Sequence, residues 1–301
     1  MKEGSLPDWY GVTLTEQITH CCDPIKAMYI LGLNPVVSYP DSNHVRRSLD
    51  KLDFLVIQDI YWTESCEYAD VVLPGTCFAE KDGTFTSGER RVNRVRKAVD
   101  GPGESKYDWE IVGMLAKKMG LKGFDWKTAK DVWDDMRAVT PGQFGVTYEK
   151  MEKPESVHWP CPAIDHPGTP ILHCGKFSAA DGKGTMFGLE YKPPAEVADA
   201  EYPFTMMTGR LIFHYHTRSQ TDRAAQLHYE VPESFVQINT IDAKQMGIRE
   251  GEKVKVTSRR GETITKARVS DDVAPKVLFM TMHFNQGVNN LTNTALDPLS
   301  K

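Results

Sequence analysis

The chain has 301 residues, 40% of them hydrophobic and 26% charged, which is the composition of a globular protein long enough for two domains. With 36 basic against 41 acidic residues the net charge is −5, which excludes a dominant basic surface for nucleic acid. No apolar run reaches the roughly 18 residues of a membrane span, and the six cysteines form no Cys-x-x-Cys pair, so they read as free thiols of a reducing compartment.

Thr13 and Glu16 stand at capping-box spacing and open a short helix. Lys26 to Gly32 is a compact apolar run closed by glycine and by Asn34-Pro35, which predicts a strand buried on both faces. Asp41 caps a helix through Lys51 with Val45, Leu49 and Leu52 as its apolar stripe, and Phe54 to Asp59 is a second strand. Val71 to Pro74 adds a third, so the N-terminal region is expected to be an open α/β sheet. Ligands of such sheets sit beyond the carboxyl ends of the strands, where Gln58, Asp59 and Thr63 fall. A carboxylate at Asp59 either caps the next turn or accepts hydrogen bonds from a guanine edge or ribose; the residues alone leave both open.

Residues 80–106 read as a basic loop, in which Arg90, Arg91, Arg94, Arg96 and Lys97 suit a solvated face or, alternatively, a phosphate or partner-subunit contact. Ser105 and Asp108 open an amphipathic helix with Trp109, Val112, Leu115, Ala116 and Met119 on its apolar side, and Asp108 has a sufficient role there as a cap. A second helix runs from Ala129 to about Ala138. The composition then shifts to Pro, Gly, His and Cys, which marks residues 152–203 as a connection between domains 1–151 and 204–301.

From residue 204 the pattern is β. Phe204 to Met207 leads into Thr208, Gly209 and Arg210, followed by His214, Tyr215, His216, Thr217 and Arg218. This is a strand handing over to a polar loop, where a glycine allows a sharp turn or the close approach of an anionic ligand, or where a strand merely ends. His214 and His216 have no Cys or carboxylate at metal-ligand spacing, so a zinc site is not expected. Strands at Phe235–Ile238, Lys253–Ser258, Thr263–Val269 and Val277–Met282, around a short helix at Ile241–Met246, point to a β-barrel.

The runs Gln58 to Pro74 and Glu80 to Val92, with Thr208-Gly209-Arg210, His214-Tyr215-His216-Thr217 and Gln237 to Ile248, resemble the molybdopterin oxidoreductases of the dimethyl-sulfoxide-reductase superfamily. The branch they are most similar to is the formate dehydrogenase catalytic (alpha) subunit. The resemblance implies an α/β fold, in which part of an open dinucleotide-binding sheet precedes a double-psi-like barrel domain that is incomplete at its C-terminus. It implies bis-molybdopterin guanine dinucleotide with Mo or W as cofactor. By the same resemblance Asp59, Thr63 and Asp108 contact one guanosine end, Thr208, Gly209, Arg210, His214 and Tyr215 contact a pterin dinucleotide, and Asn289 contacts the cofactor further along.

The family's 4Fe-4S cluster, Cys or selenocysteine metal ligand and catalytic residues are expected on an N-terminal part upstream of this sequence. The chain then reads as the C-terminal portion of a split or truncated subunit, inactive alone, with no catalytic or metal-ligating residue of its own. Its expected partners are that N-terminal part and iron–sulfur or flavin electron-transfer subunits, in the cytoplasm, with no nucleic acid and no membrane span. The alternatives are a nitrate reductase and a non-catalytic module that keeps the fold for structure or assembly.

Overall fold

A computed structural model of the protein describes residues 10–153 and 156–295. The described residues divide into two compact units that do not follow the sequential division expected: residues 11–73 with 192–295 form one, and residues 74–153 and 156–191 with residue 10 the other. The sequence placed residues 11–73 with the segment that follows them. In the structure they are tied instead to the C-terminal end by Asn289 Nδ2 donating to the Val37 carbonyl at 2.7 Å, and by Arg46 donating to Asn290 at 3.1 Å and Asn285 at 2.7 Å.

The first unit opens with α1 (Leu14–Thr19), where the Glu16 carboxylate accepts the Thr13 N–H at 3.1 Å. Strand β1 (Ala27–Leu31), helices α2 (Pro35–Ser38) and α3 (Ser42–Leu49), strand β2 (Phe54–Asp59) and strand β3 (Val71–Pro74) follow. The sheet order is β1-β2-β3, and β1 and β2 are parallel with Ile30 opposite Ile57. Asp41 caps α3 as expected, its Oδ1 accepting the His44 N–H at 3.1 Å. Val45 and Leu49 of α3 pack with Val36, Ile30, Leu55 and Ile57 into one core. Strand β1 is not buried on both faces: it forms the sheet edge, and Tyr29 and Leu31 are exposed beside buried Ile30.

The second unit carries strands β4 (Gly83–Thr86) and β5 (Arg91–Val95), helices α4 (Asp108–Lys118), α5 (Ala129–Val139) and α6 (Tyr148–Met151), and strand β6 (Val157–His158). Strand β5 pairs antiparallel with both β4 and β6, so the basic stretch is a hairpin strand rather than a loop. Its arginines serve the unit itself. Arg94 and Arg96 share the Glu152 carboxylate, Arg94 lies 3.9 Å from the Tyr148 ring centre, and Arg90 donates to the Thr169 and Pro170 carbonyls at 3.0 Å. Helix α4 begins at Asp108 without the expected cap from Ser105, whose hydroxyl donates to the Pro102 carbonyl at 2.7 Å. It buries Ile111 and Ala116 and leaves Leu115 and Met119 exposed, a face turned from the expected stripe.

The first unit resumes with strand β7 (Thr205–Gly209), helix α7 (Ala225–Glu230), strand β8 (Phe235–Ile238), helix α8 (Thr240–Met246) and strands β9 (Lys253–Thr257), β10 (Glu262–Val269) and β11 (Val277–Thr281). The five strands form one sheet of order β7-β11-β8-β10-β9. Helix α8 and strand β9 together connect the parallel pair β8 and β10, and Gly247 ends the helix in the left-handed conformation that a C-terminal glycine adopts readily. The strands are those expected, but no closed barrel forms among the described residues. Closure would pair the edge strands β7 and β9; instead both line a cavity of about 740 Å³ walled also by Val236, Ile238 and Leu278. Among the described residues, no helix is long and apolar enough to cross a membrane.

Candidate functional site

The segment leaving β7 is the polar loop that the sequence singles out. Gly209 is still in the strand, opposite Thr281 of β11. A Cβ at Gly209 would lie 2.5 Å from a ring carbon of Phe279, so packing against this ring accounts for the glycine without any ligand. Past the strand, His216 (φ 43°) and Arg218 (φ 67°) occupy the left-handed region, at a cost of about 1–2 kcal/mol each for residues with a Cβ. Such a loop needs bonds from outside to hold it.

Two histidines supply them. His214 is buried, with Nε2 2.7 Å from the Val231 carbonyl and Nδ1 3.1 Å from the Thr221 hydroxyl. Because a carbonyl only accepts, Nε2 carries the proton and Nδ1 receives the Thr221 O–H. His283, 1% exposed just after β11, faces the loop from the other side. Its Nδ1–H donates to the His216 carbonyl at 2.6 Å, and its Nε2 accepts the Leu211 N–H at 2.8 Å. Burial pushes His283 below its ordinary value; the bond to the His216 carbonyl opposes this, and neighbouring His214, Arg210 and Arg218 add to the lowering.

With the histidines committed to the backbone, the loop shows solvent a different set of groups. Arg218 pairs with Asp222 and lies 4.2 Å from the Phe284 ring centre, so its charge is already matched. Arg210 is exposed and makes no hydrogen bond or ion pair among the described residues, and Tyr215 is 63% exposed. Beside them the fully buried Thr281 hydroxyl has no partner among the described residues. An unmatched guanidinium and a phenol are the donors that a phosphate-bearing ligand requires, so the residues present fit an anionic dinucleotide. His214 is not one of the groups on offer; it shapes the loop from beneath.

The loop after β2 lies in the same unit, and Arg223 stacks 4.4 Å from the Tyr61 ring centre, joining the two loops. Asp59 Oδ1 accepts the Ile60 N–H at 2.7 Å and the Tyr61 N–H at 3.4 Å, the bonds of a turn cap. Thr63 is buried at the start of the turn Glu64–Tyr68, its hydroxyl 3.5 Å from Cys66 Sγ. Asn289, whose Nδ2 holds the Val37 carbonyl, belongs to this unit too. Asp108 belongs to the other unit, at the first position of α4, ion-paired with Lys81. The 740 Å³ cavity is lined by none of these residues, and among those described no three His, Cys, Asp or Glu side chains are grouped to hold a metal.

Sequence reasoning missed His283 and Thr221. The only trace of His283 is a histidine directly after the apolar run Val277 to Met282. Its partners lie 67 and 72 residues away along the chain, beyond the reach of any local pattern.

Comparison with known proteins bears on the whole chain. Residues 5–118 match the family Molybdopterin oxidoreductase, and residues 204–301 match the Molydopterin dinucleotide binding domain. The F420-dependent formate dehydrogenase subunit alpha of Methanocaldococcus jannaschii is 49% identical over 293 residues, covering 97% of this chain and 43% of that protein. The assimilatory nitrate reductase catalytic subunit of Bacillus subtilis is 34% identical over 302 residues, covering 97% of this chain and 42% of that protein. Among solved structures, acetylene hydratase from Pelobacter acetylenicus superposes with a TM-score of 0.71 at 18% identity, over 88% of this chain and 38% of that one, a likeness of fold. This chain thus spans less than half the length of the curated relatives it matches. Through the two matched segments, the chain belongs to the molybdopterin oxidoreductases.

Proposed function

We propose that this chain forms the dinucleotide-holding portion of a molybdenum or tungsten formate dehydrogenase-like enzyme that interconverts formate and CO2. The observation that carries the reading is the 46–49% identity, over 97% of the chain, to subunits named F420-dependent formate dehydrogenase alpha, against 34% to the nitrate reductase. When bound, bis-molybdopterin guanine dinucleotide supplies electron exchange at its metal; the protein binds and orients it. Arg210 meets its phosphates and Tyr215 its polar edge, while Thr208 and Gly209 form the strand end that presents Arg210. Asp59 and Thr63, of the first unit, serve a guanosine end; for Asp108, of the other unit, a guanosine contact is proposed separately. Thr63 and Asn289 reach a ligand only by exchanging bonds they make now.

The metal ligand and the iron–sulfur cluster are contributed by further polypeptide of the same catalytic subunit, and electrons leave through an iron–sulfur, flavin or F420-linked partner. The test is to express the full chain together with the polypeptide that completes its relatives. Released guanine nucleotide, pterin fluorescence and bound Mo or W are then measured beside formate-dependent reduction of a viologen dye. Formate activity with bound pterin is expected, and the chain alone is expected to be inactive. Bound pterin with nitrate reduction and no formate activity would make it a nitrate reductase; an assembly without pterin would make it a structural module.

A further inference from the structure

We propose that His283 is the positioning residue of the cofactor loop: its neutral imidazole clamps Leu211 and His216 together, and protonation at Nε2 releases the loop and its ligand. The inference rests on the reading of the Arg210 loop as the dinucleotide site. One ring bonds the loop backbone at two points, five positions apart, on either side of the buried His214. Between and beside those points stand the residues that face solvent, Arg210 and Tyr215. The bond from the Leu211 N–H needs the Nε2 lone pair, and a second proton removes that acceptor while the buried N–H keeps its need for one.

The sign of the resulting pH effect separates this clamp from plain electrostatics. The ionisable or charged groups facing His283 are His214, Arg210 and Arg218, with the Phe284 ring packed beside His214. All three are basic. Adding charge to His283 would, by Coulomb attraction alone, tighten a phosphate-bearing ligand as pH falls. A clamp that opens on protonation does the reverse, because Arg210 keeps its charge but loses its place.

The design of variants follows from the two ring nitrogens. His283→Gln carries an amide oxygen that replaces the Nε2 acceptor and does not titrate; His283→Asn retains a donor near the Nδ1 position and loses the acceptor. Val236→Ala, in the core of the same sheet, is the control for general destabilisation. In the assembled enzyme, pterin and metal retained after gel filtration are measured at pH 8 and at an acid pH below the folded value of His283. In the cofactor-free full chain, the hydrogen-exchange protection of the Leu211 amide is measured at the same two values.

The wild type is expected to hold its cofactor at pH 8 and release it about tenfold faster at the acid pH, the effect of losing one buried hydrogen bond. His283→Gln should flatten that difference, His283→Asn should release early at both pH values with about tenfold lower Leu211 protection, and Val236→Ala should leave the pH difference intact. Tighter retention by the wild type in acid, or a His283→Gln variant as pH-sensitive as the wild type, overturns the clamp. Full retention in His283→Asn despite lost Leu211 protection overturns its role in binding. A wild type without pterin at either pH overturns the cofactor reading itself, and with it the proposal, whereas the exchange measurement still reports whether the ring holds the loop.

Discussion

Gly209→Ala tests whether the glycine of the Thr208-Gly209-Arg210 strand end serves packing or ligand approach. A Cβ built there lies 2.5 and 3.0 Å from two carbons of the Phe279 ring, well inside ordinary contact. Phe279 cannot yield freely, because it packs against the buried cluster Val231, Phe235 and Phe284. Gly209 is not among the residues with positive φ, so the substitution carries no backbone penalty and would gain about 0.4–1 kcal/mol from a stiffer unfolded chain if the space were open. Overpacking costs about 1–3 kcal/mol, and the larger effect decides the sign: the cofactor-free protein should be destabilised, by up to about 2.6 kcal/mol. Urea unfolding of Gly209→Ala, Phe279→Leu and the double variant measures it. The smaller leucine should relieve the clash, so the two changes should couple by 1 kcal/mol or more. A Gly209→Ala protein as stable as the parent, or effects that simply add, would refute the packing argument and return the glycine to ligand approach.

Arg210→Ala should leave the cofactor-free melting temperature unchanged, since the side chain is exposed and unpaired among the described residues, while the assembled enzyme loses bound metal. Arg210→Lys should restore only part of it for want of the forked guanidinium, and full metal content in the Ala variant would refute the assignment. Stability should fall in acid through His283: its folded value lies below the ordinary value of about 6.5, so the unfolded chain takes the proton first. The contribution is then complete above about pH 6.5 and lost as pH falls through the folded value, and a denaturation midpoint no more pH-dependent in the parent than in His283→Gln would contradict it. In the other unit, Trp133→Phe removes the Nε1–H bond to the Val146 carbonyl at 2.7 Å and should cost about 1–3 kcal/mol, read as lost hydrogen-exchange protection around residues 129–151; a loss below about 0.5 kcal/mol would show that the carbonyl finds another donor.

What could be read from the sequence was what neighbours along the chain decide. The Asp41 cap, the strand at residues 54–59 and the helix stopped by Gly247 follow from residues a few positions apart, and each stands where local chemistry puts it. Strand β5 was hidden because Arg91, Asn93 and Arg94 look like a solvated run, whereas Arg94 is seated by Glu152 and Tyr148, distant in sequence. The exposure of β1 was hidden for a similar reason: an apolar run does not say whether it has a neighbour on one side or two. The open sheet follows the same rule, since strand count and spacing are local while the pairing of β7 with β9 is not.

The candidate site divides along this line. Arg210 and Tyr215 could be found because they follow a glycine and an apolar strand in a recognisable order, and they are the groups left facing solvent. The residues that give them a fixed place, His283, Thr221 and Phe279, carry no motif, because a backbone carbonyl, a ring nitrogen or a glycine hydrogen is a partner that any sequence can supply. His214 shows how the two can be confused: it sits inside the motif, yet its ring is spent on Val231 and Thr221. A motif therefore records both the atoms that would touch a ligand and those that hold the loop. Only the hydrogen-bond partners tell them apart, which is why a histidine within the motif acts here as scaffold and one outside it bears directly on the position of Arg210.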